Sequence, residues 1–158
     1  MNFNFKILSK IKILFKIKRI LGHEKEFIDH LLLPNDQQVI IKFEKEGNNF
    51  IIDFNGPINT IYENQTFRVK FIPSEKYPFT PPNFYWMGNP PYHRFYRLDN
   101  RGVLDITTNI ANTEYGIYHK YHHPSNTLIE YIERIKFSLT PAGEKIMDPQ
   151  MASYPDFM

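Results

Sequence analysis

Covalent chemistry in this chain must come from hydroxyls, carboxylates, imidazoles or amines, because none of its 158 residues is Cys. Disulfides, thiolate nucleophiles, thioesters and Cys-ligated zinc are thereby excluded. Thr107 and Thr108 follow Asp105 closely, so a carboxylate stands near two hydroxyls that could act as nucleophiles. Transfer to a Thr ester would hinder any onward step, which disfavours that use. Asp105 and Glu114 could form an acid and base pair, but nothing in their spacing fixes a separation. His119, His122 and His123, with His93 upstream, offer imidazole ligands for zinc or nickel. Two of them are immediate neighbours and no carboxylate completes a ligand spacing. A solvated His119 to His123 loop is therefore expected, with no metal and no other cofactor.

The charge is uneven. Lys6, Lys10, Lys12, Lys16, Lys18 and Arg19 carry +6 with no acid among residues 1–20. Subtracting that from the total of +2 leaves the remainder at −4. A mildly acidic body does not point to specific nucleic-acid binding, whereas the basic segment could contact an anionic membrane or an acidic protein. Apolar runs such as Leu31-Leu32-Leu33 fall far short of the roughly 20 residues a membrane span needs. Lysines interrupt what would be the apolar part of a secretory signal, so a cytoplasmic or nuclear protein is expected.

The elements that must position these groups can be read from periodicity. Ile7, Leu8, Ile11, Leu14 and Phe15 share a helical face, although Lys10-Ile11-Lys12-Ile13 also alternates as a strand would. The stripe continues through Ile20, Phe27, Ile28 and Leu31, which favours one helix to about Leu32, with Gly22 the place for a break. Strands are expected at Val39 to Phe43, Phe50 to Phe54, Phe67 to Phe71 and Asn83 to Met87, the first two joined through Gly47-Asn48-Asn49. From Pro90 to His123 periodicity fades, and a surface loop of that length usually carries function or disorder. Helical spacing returns from Asn126 to Leu139, with Ser125 or Asn126 as cap. The predicted organisation is a basic extension over 1–19, a domain over 20–140 and a tail over 141–158. Its class is α+β, an antiparallel meander covered by helices on one face.

Gly56-Pro57, Tyr62, Phe67-Arg68-Val69-Lys70-Phe71, Tyr77-Pro78-Phe79-Thr80-Pro81-Pro82, Tyr92-His93 and Val103-Leu104-Asp105-Ile106 occur in an order that resembles the ubiquitin-conjugating-enzyme core. The likeness spans roughly residues 56–139, about half of the chain. It implies a four-stranded antiparallel meander with N-terminal and central helices, the family's C-terminal helices being reduced. It also puts Val103 at the position of the family's nucleophilic Cys, ten positions after His93, and Phe95 at the position of its Asn. Val has no atom that can attack or hold an acyl group. In this the chain resembles the inactive variants of the family, which lack the Cys and act by binding.

The resemblance therefore implies a non-catalytic adaptor of the ubiquitin pathway, not an enzyme. Its partners would be ubiquitin or a ubiquitin-like protein, an active conjugating enzyme, or a ubiquitin ligase. Ligases grip the family through the first helix, the turn corresponding to Pro78 and Phe79, and the loop corresponding to Pro124 and Ser125. Two alternatives are a conjugating enzyme using an unorthodox Thr nucleophile and a membrane-associated interaction protein anchored by residues 1–20.

Overall fold

The computed structural model describes residues 3–93 and 123–147, with side chains described over 6–93 and 123–144. A single helix, α1 (Phe3–His30), opens the chain and runs without interruption through Gly22. A Cβ at Gly22 would meet nothing within 4 Å, and the residue lies within a run of good helix formers, so its cost does not break the helix. The helix stops where Gln38 Nε2 donates to the carbonyls of Leu31 (3.1 Å) and Leu33 (2.8 Å) and Pro34 prevents continuation.

Four strands follow in an antiparallel meander of order β1-β2-β3-β4: β1 (Lys42–Glu46), β2 (Asn49–Asn55), β3 (Thr66–Ile72) and β4 (Asn83–Met87). The register aligns Phe50 with Phe71 and Phe71 with Phe84, and aligns Ile52 with Val69 and Val69 with Trp86. Because side chains alternate along a strand, these rows share the buried face. The opposite face carries Lys42, Asp53 and Arg68 in a row, with Asp53 bound by Arg68 at 2.7 and 3.1 Å. Strand β1 begins three residues later than its apolar run. The Val39 N–H is taken by His30 Nε2 at 2.7 Å, and Ile40 is fully buried in the core.

Helix α2 (Leu128–Ser138) lays Leu128, Tyr131, Ile132 and Ile135 into the core, with Tyr131 against Phe84. Its cap is Thr127 rather than Ser125 or Asn126. The Thr127 hydroxyl accepts from the Glu130 N–H at 3.1 Å while Glu130 accepts from the Thr127 N–H, a reciprocal capping box. A short helix, α3 (Pro141–Met147), occupies the start of the segment read from sequence as a tail. Ile20, Phe27 and the buried His23 fasten the second half of α1 to this core.

Candidate functional site

Phe15, Lys18, Arg19 and Gly22 recur at intervals of three and four, so α1 presents them on one face. This face forms one wall of a groove of ≈ 560 Å³. Pro78 and Phe79 of the proline turn form a second wall, and His123, Pro124 and Ser125 before α2 form a third. Pro78, Phe79, Pro124 and Ser125, which the sequence singles out together, are thus brought to a common groove.

The turn is held from beneath. Three prolines within six residues remove backbone donors and fix φ, so the segment cannot join the ladder. Tyr77 is buried against Phe71, and its hydroxyl hydrogen-bonds to His23 Nε2. The other ring nitrogen of His23 pairs with Glu26 at 3.3 Å. Burial holds the His23 imidazole below its ordinary pKa, outweighing the Glu26 hydrogen bond. The neutral ring, donating from Nδ1 to Glu26 and accepting the Tyr77 hydroxyl at Nε2, satisfies both contacts. Burial likewise pushes the Tyr77 phenol upward, so it remains a donor. With Tyr77 anchored, Phe79 projects outward at 54% exposure and meets Phe15 edge-on, their centroids 6.5 Å apart.

The loop wall is held by Arg19. Its guanidinium donates to the carbonyls of Ser125 at 2.8 Å and Asn126 at 2.6 Å, and reaches Glu26 at 3.5 Å. From sequence alone Arg19 belongs to the basic extension over 1–19. The available signal was its position directly before the buried Ile20, but a contact across more than a hundred residues leaves no local pattern. Within the loop, His123 Nδ1 accepts from the Ser125 backbone N–H at 3.1 Å and is 2.7 Å from its hydroxyl. The imidazole nitrogen that could activate the hydroxyl is therefore engaged in closing the turn.

The groove joins aromatic and proline surface to two cations. It is suited to gripping a protein surface that presents apolar side chains beside acceptors. Among the described residues no group of three or more His, Asp or Glu gathers as a metal site. Val103, Phe95, Asp105, Thr107, Thr108, Glu114, His119 and His122 lie outside the described residues.

No protein-family model matches the chain, and no curated protein matches it. Solved structures do, two ubiquitin-conjugating enzymes among them. A ubiquitin-conjugating enzyme from Plasmodium falciparum aligns over 78% of this chain and 97% of its own, with 21% identity and a TM-score of 0.56. A ubiquitin-conjugating enzyme from Plasmodium vivax aligns over 77% of this chain and 99% of its own, with 22% identity and a TM-score of 0.54. The meander, the helix preceding it and the helix that follows accordingly form a ubiquitin-conjugating-enzyme fold in a chain that contains no cysteine.

Proposed function

We propose that the protein is a non-catalytic adaptor of the ubiquitin conjugation pathway that binds a ubiquitin ligase through the groove between α1, Phe79 and Ser125. The observation that carries this reading is the assembled groove on a chain without a thiol. The nucleophile that an acyl-transfer enzyme of this fold would need is replaced by Val103, and Phe95 stands where the resemblance expects Asn. Binding, by contrast, requires only a preorganised surface, and both walls facing α1 are fixed by buried or half-buried polar contacts. Function would then be positional, raising the effective concentration of ubiquitin or of an active conjugating enzyme at its partner. The domain over 20–140 is completed by the end of the 1–19 basic extension, since Phe15, Lys18 and Arg19 line the groove, and 141–158 follows as a tail. The setting is the cytoplasm or nucleus.

The test has two parts. Incubation with ubiquitin-activating enzyme, ATP and ubiquitin should yield neither a thiol-reducible nor a hydroxylamine-sensitive adduct; an adduct competent to transfer its ubiquitin to lysine would overturn the adaptor reading. Titration with RING or U-box domains should find a binder whose affinity drops at least tenfold with Phe79→Ala, as removal of a central aromatic anchor does. Binding indifferent to that substitution would remove the groove from the mechanism.

A further inference from the structure

The groove leaves the first half of α1 unexplained. Ile7, Leu8, Ile11, Leu14 and Phe15 are between 41% and 65% exposed, although each is large and apolar. At 3.6 residues per turn they form one stripe, and that stripe points roughly 150° away from Ile20, His23 and Phe27, the residues that fasten the helix to the core. The first half of α1 thus carries most of its exposed apolar side chains on the face opposite the one that meets the core, with Ile13 and Ile17 also exposed on the other side. Four lysines are arranged around the stripe, while Lys18 falls on it beside Phe15 in the groove wall. On the helical wheel Lys10 and Lys6 follow one edge and Lys12 and Lys16 the other, with no acid among residues 6–19. No helix among the described residues is long and apolar enough to cross a membrane.

We propose that residues 6–19 dock lengthwise on an anionic lipid surface. An exposed apolar stripe edged by lysines on both sides matches a helix lying in the interface plane. Its apolar side chains enter the acyl boundary while the lysine stems extend along the apolar surface and keep their ammonium groups among the headgroups. An all-positive segment complements the negative potential of phosphatidylserine-containing leaflets. The stripe also runs directly into the α1 wall of the groove through Phe15, so a lipid-bound helix would hold the groove against the membrane.

Flotation of the full chain with phosphatidylcholine vesicles, with and without phosphatidylserine, tests this. Binding is expected only with phosphatidylserine, and is expected to fall as salt shortens the screening length from about 10 Å at 0.1 M to about 3 Å at 1 M. Each lysine near such a surface is worth about a fivefold change in partition, so Lys10→Gln with Lys12→Gln and Lys16→Gln should weaken binding about a hundredfold. Ile11→Ser with Leu14→Ser should weaken it at least tenfold. Lys10, Ile11, Lys12 and Leu14 are exposed, Lys16 is half-buried and none belongs to the core, so these variants should unfold at a denaturant concentration close to that of the parent. Absence of binding to either vesicle, or binding that ignores both phosphatidylserine and the lysine substitutions, would overturn the proposal. So would binding to soluble polyglutamate without binding to vesicles, the result expected of an acidic protein partner.

Discussion

Replacing Arg19 with Ala should loosen one wall of the groove without touching the hydrophobic core. Arg19 makes charge-assisted hydrogen bonds to Ser125 O at 2.8 Å and to Asn126 O at 2.6 Å, joining α1 to a loop more than a hundred residues away. Such bonds are worth about 1.5–3 kcal/mol each when sheltered. The Ser125 carbonyl is exposed, so water replaces the guanidinium there at little cost, while the half-buried Asn126 carbonyl carries most of the loss. The partly exposed Glu26 pair at 3.5 Å adds about 0–1 kcal/mol. The expected destabilisation is about 2–3 kcal/mol, which lowers a urea midpoint by about 1 M at a slope near 2 kcal/mol per molar. Arg19→Lys should recover about half, because one ammonium cannot span two carbonyls and a carboxylate in the geometry of a planar fork. Amide exchange should quicken at Asn126, whose N–H bonds to the His123 carbonyl at 2.9 Å, while β2 and β3 stay protected. A loss below about 0.5 kcal/mol, or a Lys variant as stable as the parent, would show that Arg19 does not hold the loop.

The remaining perturbations test the supports around the groove. Burial lowers the pKa of both His23 and His30 from 6.5, so the unfolded chain binds more protons as the solution is acidified. Stability should be full above about pH 7 and fall below 6.5 by no more than about 1.4 kcal/mol per pH unit for each histidine; His23→Gln and His30→Gln should each flatten that limb in denaturant titrations. Gly56→Ala should cost about 3 kcal/mol and lower the melting temperature by about 10 °C, since its Cβ would stand 1.8 Å from the Tyr62 carbonyl oxygen, a backbone atom that cannot step aside. Thr127→Ala should cost about 1 kcal/mol in calorimetry by removing the hydroxyl of the capping box.

The meander was legible because its code is short-range. Phe67, Val69 and Phe71 alternate with Arg68 and Lys70, and the register buries the first set and exposes or half-exposes the second. Strand β4 spans the same residues, Asn83–Met87, as its aromatic run. The proline turn could be foreseen as rigid from its three fixed φ angles, and it does expose Phe79. Errors gathered where a distant group decides the outcome. The start of β1 depends on His30 capturing Val39 nine residues on, whereas the cap of α2 is a local Thr127-x-x-Glu130 pattern that the reading of Ser125 or Asn126 passes over. Gly22 looks like a helix breaker in a linear reading, yet it leaves the α1 wall of the groove without a side chain at that point. Arg19 counts as one more positive charge until the loop it binds is folded beside it.

The two supports of the groove sit one turn apart on α1 and act on different walls. His23 reaches down to Tyr77 and so fixes the turn that presents Phe79; Arg19 reaches sideways to Ser125 and Asn126 and so fixes the loop that presents Pro124. Each support is polar, and each is placed where an apolar residue would pack without choosing an orientation. Their cost is the desolvation that depresses the His23 pKa, and their return is a surface whose shape is set before a partner arrives. Neither support involves a nucleophile. The shape of the groove therefore rests on contacts that need no thiol, so a docking surface on this fold is physically separable from transfer chemistry.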